Sequence, residues 1–497
     1  MTLIPRSRAG ALWRFALGAA IVIVFTAATT AVAGLLQFKQ FAKDLSGTPA
    51  IKQAAVTIPN PGNAQTILVI GSDHRAKDPQ KDANTDTMML VRMDPDSSTI
   101  NVLSIPRDLK VDIPGHGIDK LNSAYSVGGA NLLIRVLRQQ VFPDLHVNHI
   151  VDVNFGGFEA LVDAIGCVYT DVDHRYYNNT AVTNYSSINL HAGYQKLCGP
   201  DALSFVRFRH TDNDIVRNAR QQDFIRWAKD QYGQAALISN RDKLLGIFGQ
   251  HVQTDPDLHS VDGLINLFNL AAFSVGHTIK QTPFPAILLP CTLPPPGAGP
   301  AAQTPCYVSA DSGAEQKAFD AFMTPTPSAP SNSGARPGKK GGGGNGASAP
   351  DTTPDLADGK AQAAALRGAG LPIYFPSLIA TGAQYQGPTP PEYPRGYQIH
   401  DQNGIAHSAY RMVVTLNSNL GQYYGVQGTT WQNPPILDNP TETRTVGGKR
   451  LVLFYTGHKL DLVAWRTPQA VYWISNTLTA DLSNAQLLAL ASSLTKG

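Results

Sequence analysis

The sequence predicts an α/β fold, a sandwich of helices around a mixed sheet, and three observations carry that expectation. Short apolar runs at Ile67–Ile70, Thr87–Met93 and Ile100–Ile105 read as strands. The turn-rich Asp94–Thr99 joins the second to the third as an antiparallel hairpin, and if the first runs parallel to the third their carboxyl ends share one edge. Helical spacing at Asn131–Val141 and Phe158–Ile165, followed by a strand at Cys167–Val172, then sets up the alternation of an α/β sandwich.

The 497 residues have room for two domains and more, and a formal charge of +3 gives no overall basic character that would point to nucleic acid. Phe15–Phe38 carries no charge and follows Arg6, Arg8 and Arg14. About 20 apolar residues span a bilayer and a positive flank stays inside, so residues 1–14 read as cytoplasmic and 15–38 as a transmembrane anchor. A cleaved signal peptide is the alternative, because Ala31-Val32-Ala33 imitates a cleavage site. Its apolar region is usually only about 7–15 residues, which favours a retained anchor. Either way the remainder lies outside the cytoplasmic membrane. Residues 39–65, with a helical start and then Pro59 and Pro61, read as a stalk.

Residues 66–323 form the expected first domain. Within it Tyr176–Lys196 lacks a clear period and reads as a surface loop, Ala202–His210 as a strand, Asn218–Leu237 and Asp262–Phe273 as helices. Cys167 and Cys198 bracket the loop, and Cys291 and Cys306 bracket a proline-rich stretch. Sequential pairing is the simplest connectivity, and bridges closing such loops contribute about 2–4 kcal/mol in an oxidising space. A metal site, the alternative, lacks C-x-x-C spacing and nearby histidines. Residues 324–355, rich in Gly, Pro and Ser, cannot bury apolar surface and read as a disordered linker. Residues 371–497 are a second, α+β unit: strands at Tyr410–Leu416, Lys449–Thr456, Leu460–Arg466 and Gln469–Ile474, and a closing helix at Leu482–Leu494. Trp431, Trp465 and Trp473 suit a sugar-stacking surface, although core packing accounts for them better.

The hairpin brings Asp86 and Arg107–Asp108 to one edge, and Asp73 and Arg75 reach it from the end of Ile67–Ile70. Ligands of open α/β sheets sit at such carboxyl ends. Alternation along Leu203–Arg209 puts Arg207 and Arg209 on one face, about 7 Å apart, a separation suited to two linked phosphates. Arg217, Arg220 and Gln221 fall at i, i+3 and i+4 near a helix N-terminus, which Asp212 or Asp214 would cap. Converging guanidiniums repel unless an anion joins them, and arginine binds phosphate oxygens bidentately. Carboxylates beside phosphate-binding arginines suit a hard cation, Mg²⁺, at Asp73 and Asp86, the alternative being that aspartates at strand ends are common turn formers.

The motifs GSDHR (Gly71–Arg75), TDTMMLV (Thr85–Val91), SIPRD (Ser104–Asp108), DKLNSAY (Asp119–Tyr125), FGGFEALVDAIG (Phe155–Gly166), GPDALSFVRFRH (Gly199–His210) and DIVRNARQQ (Asp214–Gln222) occur in this order. Together they resemble the LytR-CpsA-Psr family of cell-wall glycopolymer transferases. The resemblance implies an α-β-α sandwich with a hydrophobic pocket for a polyprenyl chain. It implies binding of a polyprenyl-pyrophosphate-linked glycan outside the membrane and transfer of its phosphoglycan to peptidoglycan or protein. By motif match Asp73 and Asp86 hold Mg²⁺. Arg75, Arg107, Arg207, Arg209, Arg217, Arg220 and Gln221 hold the pyrophosphate, with Lys120 and Asn122 as further candidates. Asp108 and Asp214 orient arginines, and Asp86 or Asp108 is the candidate base. Cys167 stands where the family often has a second glycine, and Asn213 where a glycine is frequent. Residues 371–497 depart from the family's usual C-terminal domain.

Three readings compete. The first is an Mg²⁺-dependent phosphotransferase in which an acceptor hydroxyl attacks directly, since no Ser-His-Asp arrangement emerges. The second is a non-catalytic scaffold that binds the lipid-linked polymer. The third, a membrane-bound transcriptional attenuator, is opposed by the anchor, the external cysteines and the lack of a helix-turn-helix pattern. The alanine-rich, low-lysine composition suggests an actinobacterium, with arabinogalactan as the glycopolymer.

Overall fold

In the computed structural model β1 (Gln65–Ser72), β2 (Thr85–Met93) and β3 (Thr99–Ile105) pair in sequence order. Residues 50–51, 56–57, 62–72, 85–179, 187–208, 213–232, 241–274, 276–290, 306–325, 351–387 and 394–497 are described. Both pairings are antiparallel, so β1 and β3 run the same way on either side of β2. A hairpin, β4 (Lys110–Ile113) and β5 (Gly117–Lys120), feeds α1 (Leu121–Val136), which a π-helical turn extends through Leu137–Val141. Gly129 breaks α1 at φ 63°, ψ −163°, a conformation open to glycine but not to side-chain-bearing residues. β6 (His149–Asn154) lies parallel to β1 and turns into α2 (Phe155–Ile165), whose first turn is capped by the Asn154 side chain accepting from the Gly157 amide.

β7 (Val168–Val172), β8 (Tyr176–Asn178), β9 (Ile188–Leu190) and β10 (Gly193–Leu197) form two small hairpin-like pairs. Then come α3 (Gly199–Arg207), α4 (Asp214–Gln231), α5 (Arg241–His251), β11 (Val252–Thr254), α6 (Val261–Ser274) and β12 (Thr278–Thr282). β11 joins β6 antiparallel and β12 joins β3 parallel, giving a six-stranded mixed sheet in the order β11-β6-β1-β2-β3-β12. The pleat splits the apolar residues of β1 between two cores. Leu68 and Ile70 pack with Leu90, Leu103 and the α1 residues Leu133 and Ile134, while Ile67 packs with Val151, Val252 and Leu270 on the other face. The result is a mixed α/β fold with a central mixed sheet.

Three local expectations are corrected. The expected strand Ala202–His210 is corrected over its described residues: α3 occupies Gly199–Arg207, with Pro200 in the first turn and Asp201 favourably placed at the positive helix end. Ala202, Phe205 and Val206, at i, i+3 and i+4, are its buried stripe, and the two-residue alternation that suggested a strand is a by-product of that stripe. Tyr176–Lys196 is not simply a surface loop, because β8, β9 and β10 cross it and Tyr176 and Tyr194 are fully buried. The helix expected from Asn218 starts at Asp214, capped by Asn213 accepting from the Val216 amide, rather than by Asp212 or Asp214.

Cys167 and Cys198 are disulfide-bonded. Cys167 takes φ 68°, the left-handed region that favours glycine, directly after Gly166 at φ 98°. Cys306 is also disulfide-bonded, and its expected partner Cys291 lies outside the described residues. So do the expected anchor at 15–38, most of the stalk, and linker residues 326–350. Among the described residues no helix is long and apolar enough to cross a membrane.

β13 (Ile287–Leu288) pairs with β14 (Val308–Ser309), and α7 (Ser312–Met323) packs its Phe319 and Phe322 into the larger core of the first domain. The second unit opens with β15 (Thr352–Pro354), α8 (Leu356–Ala365), β16 (Tyr374–Pro376) and β17 (Leu378–Ala380). Its eight-stranded sheet comprises β18 (Gln384–Tyr385), β19 (Arg395–His400), β20 (Ala406–Asn417), β21 (Gln422–Thr429), β22 (Glu442–Val446), β23 (Lys449–Thr456), β24 (Lys459–Arg466) and β25 (Val471–Ser475). α9 (Asn484–Ser492), opened by a Ser483–Gln486 capping box, and β26 (Leu494–Lys496) close the chain. Trp473 is fully buried and Trp431 nearly so, both in an aromatic seam with Tyr169 and Tyr194 of the first domain.

Candidate active site

The β2–β3 hairpin does what its sequence implies: the start of β2 stands beside the residues that follow β3. Asp86 accepts a hydrogen bond from Arg107 Nη1 through Oδ1. Its Oδ2 accepts from Arg207 Nε at 3.0 Å, and Arg207 Nη2 stands at the same distance from that oxygen. Arg207 arrives there from the last turn of α3, with its guanidinium 3.7 Å above the Phe155 ring at the start of α2. This face remains partly open, with side-chain exposure of 15% at Asp86 and 31% at Arg207.

Behind it the contacts are buried. Asp214, the first residue of α4, accepts from Arg217 on one oxygen and from the Arg107 amide on the other, at 2.9 Å. Burial lowers the affinity of the Arg217 guanidinium for its proton; Asp214 opposes that effect and the Arg107 charge adds to it. Asp108 pairs with Lys120 at 3.0 Å and stands 3.7 Å from Arg107 Nε. Asn122 donates its backbone amide to the Arg107 carbonyl at 3.1 Å, tying α1 to the same loop.

The residues expected to hold pyrophosphate thus divide by exposure. Arg107, Arg207 and Lys120 reach the open face. Gln221 donates to Thr87 Oγ1 at 2.8 Å and to the Val206 carbonyl at 3.0 Å. Arg220 is 0% exposed and donates to the Phe205 and Phe208 carbonyls and to the Tyr176 hydroxyl. Arg220 is thus turned inward by these contacts and shapes the C-terminal end of α3. Arg75, Arg209 and Asp73 lie outside the described residues.

Several buried polar atoms here have no hydrogen-bond partner among the described residues: Arg107 Nε, Asn122 Oδ1, Arg217 Nε and Gln221 Oε1. Leaving such atoms unsatisfied costs about 1–3 kcal/mol each, which is tolerable where a ligand supplies partners. Asp86, a partly exposed carboxylate, is of the ligand type that a hard cation shared with phosphate oxygens takes. The one cluster of metal-ligand residue types found among the described residues, Asp163 with Cys167 and Cys198, contains the disulfide and offers no thiolate.

Sequence reasoning overlooked Asp152. It is buried mid-strand on β6, where it accepts from Ser72 Oγ at 2.6 Å and Tyr125 OH at 2.5 Å. Burial, reinforced by that carboxylate, pushes the Tyr125 phenol well above its ordinary value. Asp152 therefore fixes the end of β1, just before Asp73, against α1. The signal was an aspartate inside the apolar run His149–Asn154.

The profile of the LytR_cpsA_psr family matches residues 33–286, about half of the chain. The polyisoprenyl-teichoic acid–peptidoglycan teichoic acid transferase TagU of Oceanobacillus iheyensis is 33% identical over 211 residues, 41% of this chain and 62% of that protein. TagT of Bacillus subtilis, a transferase of the same description, is 30% identical over 202 residues, 40% of this chain and 62% of its own. The alignments thus span less than two thirds of these relatives. The crystal structure of Bacillus subtilis TagV aligns with 53% of this chain and 96% of its own, at 24% identity and a TM-score of 0.41.

Proposed function

Because the chain belongs to the LytR_cpsA_psr family, we propose that it moves a glycopolymer phosphate from a polyprenyl-pyrophosphate carrier to peptidoglycan. The observation that carries this reading is the fork of Arg107 and Arg207 on Asp86, backed by the Asp214–Arg217 pair. Arginines preorganised by carboxylates exchange those contacts for phosphate oxygens when the diphosphate arrives. The names of the relatives TagU and TagT support the reaction class.

An acceptor hydroxyl oxygen bonds to the sugar-linked phosphorus and the bond to the bridging oxygen breaks. Polyprenyl phosphate leaves and the hydroxyl proton passes to a base. Asp108, paired with Lys120, and Asp86, in a state where it does not hold the metal, are the described carboxylates that can take the proton. Arg107 and Arg207 spread the negative charge of the departing phosphate, and Lys120 adds a third positive group at the rim. Asp73 and Asp86 would hold Mg²⁺, which when bound neutralises phosphate oxygens. The anchor at 15–38 would keep the site outside the cytoplasmic membrane, beside lipid-linked substrates. Arabinogalactan is one glycopolymer compatible with this chemistry, and comparison of wall polymers before and after depletion of the protein identifies the polymer. A protein with Asp73 and Asp86 replaced by Ala that still complements in cells would instead be a non-catalytic scaffold.

A further inference from the structure

Residues 371–497, whose role the family does not supply, are joined to the first domain by more than a linker. Arg411 of β20 is completely buried and pairs with Asp171 of β7 at 3.0 Å. It also donates to the Asp173 carbonyl at 3.3 Å and to Ser475 Oγ at 3.4 Å. Space for its guanidinium exists because position 425 on β21 is glycine; a Cβ there would overlap it. Similarly, Gly193 of β10 leaves room for the Tyr397 ring of β19, whose hydroxyl donates to the Tyr194 carbonyl at 3.1 Å. Tyr169 OH donates to the His400 carbonyl at 2.9 Å. Arg411, Tyr169 and Tyr194, which make these contacts across the two units, are all buried.

The contacts continue inward. Asp173 accepts from Tyr176 OH at 2.6 Å and lies 3.0 Å from His174 Nδ1, whose ring stacks on Tyr423 of the second unit at 4.1 Å. The Tyr176 hydroxyl accepts from Arg220 Nε at 3.2 Å, and Arg220 Nη1 holds the Phe205 and Phe208 carbonyls at 3.2 and 2.9 Å. Those carbonyls bracket Arg207. The same unit lies along α4: Val216 packs on Gly421, where an added Cβ would meet a valine methyl at 3.0 Å. Farther along the helix, Asp461 of β24 is a charge partner of Arg226, and burial pushes its carboxyl up while Arg226 opposes that shift. A helix that carries Asp214 and Arg217 at its start is therefore in contact with the other unit close to that start, through Val216 and Gly421.

We propose that the C-terminal unit is a positioning element of the phosphate site, with Arg411 acting through Asp173, Tyr176 and Arg220 to fix the turn of α3 that presents Arg207. This rests on the diphosphate-binding reading above. Such positioning lowers the cost of organising the site when ligand binds, so its loss shows as weakened affinity in protein that remains folded.

The test uses the full-length protein in detergent micelles, with polyprenyl pyrophosphate as the probe. Replacing Arg411→Met together with Asp171→Asn removes both buried charges at once, which avoids stranding either one. Arg411→Lys keeps the charge beside Asp171 and loses the second arm of the guanidinium, the Nη2 contact to the Asp173 carbonyl. The expected result is a dissociation constant raised at least fivefold by the double variant and by a smaller factor by Arg411→Lys, measured on the folded fraction. An unchanged dissociation constant, with only the melting temperature or the folded fraction lowered, would show a merely structural role and overturn the proposal. If the double variant does not fold, Arg411→Lys decides alone by the same criterion. Wild-type protein that fails to bind the probe would sink the diphosphate reading itself, a different outcome from equal binding by wild type and variants.

Discussion

Asp86 and Arg207 lie 121 positions apart in the chain and meet through a single carboxylate oxygen, Oδ2, with Arg207 Nε and Nη2 both 3.0 Å from it. β2 supplies the carboxylate and the end of α3 the guanidinium, so the contact exists only once the sheet and the helices have assembled. It joins the acidic and basic halves of the site.

Removing that guanidinium is expected to weaken diphosphate binding strongly while sparing the fold, because Arg207 is partly exposed. Arg207→Ala should raise the dissociation constant for polyprenyl pyrophosphate by roughly ten- to a hundredfold, the effect of losing about 1.5–3 kcal/mol of charge-assisted hydrogen bonding. Arg207→Lys should recover only part of this, since lysine lacks the planar fork and stacks less well on Phe155. Titration calorimetry on the three proteins checks the order.

Asp214 should behave in the opposite way. Asp214→Ala strands the buried Arg217 and frees the Arg107 amide, so a loss of about 3–5 kcal/mol in stability is expected. Chemical denaturation reads it directly. Asp214→Asn, which keeps one acceptor oxygen and turns an NH2 towards the other donor, should lose less than Asp214→Ala but still lose one of the two hydrogen bonds.

Reduction of the Cys167–Cys198 bridge, or Cys167→Ser with Cys198→Ser, opens a loop of sequence separation 31 that contains β7 to β10. A loss of about 2–4 kcal/mol is expected. Those strands carry the contacts to the second unit, so hydrogen exchange should rise at Val168–Leu197 first.

Glu315, on α7, has its carboxyl pushed up to about 7 from 4.5 by burial, with Asp311 adding to the effect. The sign follows from linkage. Below about pH 4.5 the group is protonated in both states and α7 docks most firmly; docking weakens as pH rises towards 7, and levels off above it. Hydrogen exchange of Ser312–Met323 at pH 5 and pH 8 should differ in wild type, and the difference should shrink in Glu315→Gln.

The parts of the fold that follow from local pattern could be read from the chain. The β2–β3 hairpin had alternating apolar residues and a turn between them, and hairpin geometry alone brought Asp86 and Arg107 to one edge, where they pair. α3 was misread because nine residues are too few to separate a helical stripe from a strand's alternation, and Pro200 was the stronger signal. The inward turn of Arg220 was invisible because its partner Tyr176 lies 44 positions away in a stretch without period. Nothing local to Arg411 announces a partner 240 positions distant, and a buried arginine in a strand becomes legible only when Asp171 stands opposite.

The central claim is transfer. Full-length protein should be incubated with a polyprenyl-pyrophosphate-linked glycan, peptidoglycan and Mg²⁺, with polyprenyl phosphate and the wall-bound phosphodiester quantified together. Both products should appear in equal amounts and both should fall sharply in Asp86→Ala and Arg107→Ala. Protein that binds the lipid-linked glycan yet releases no polyprenyl phosphate and forms no phosphodiester would contradict it.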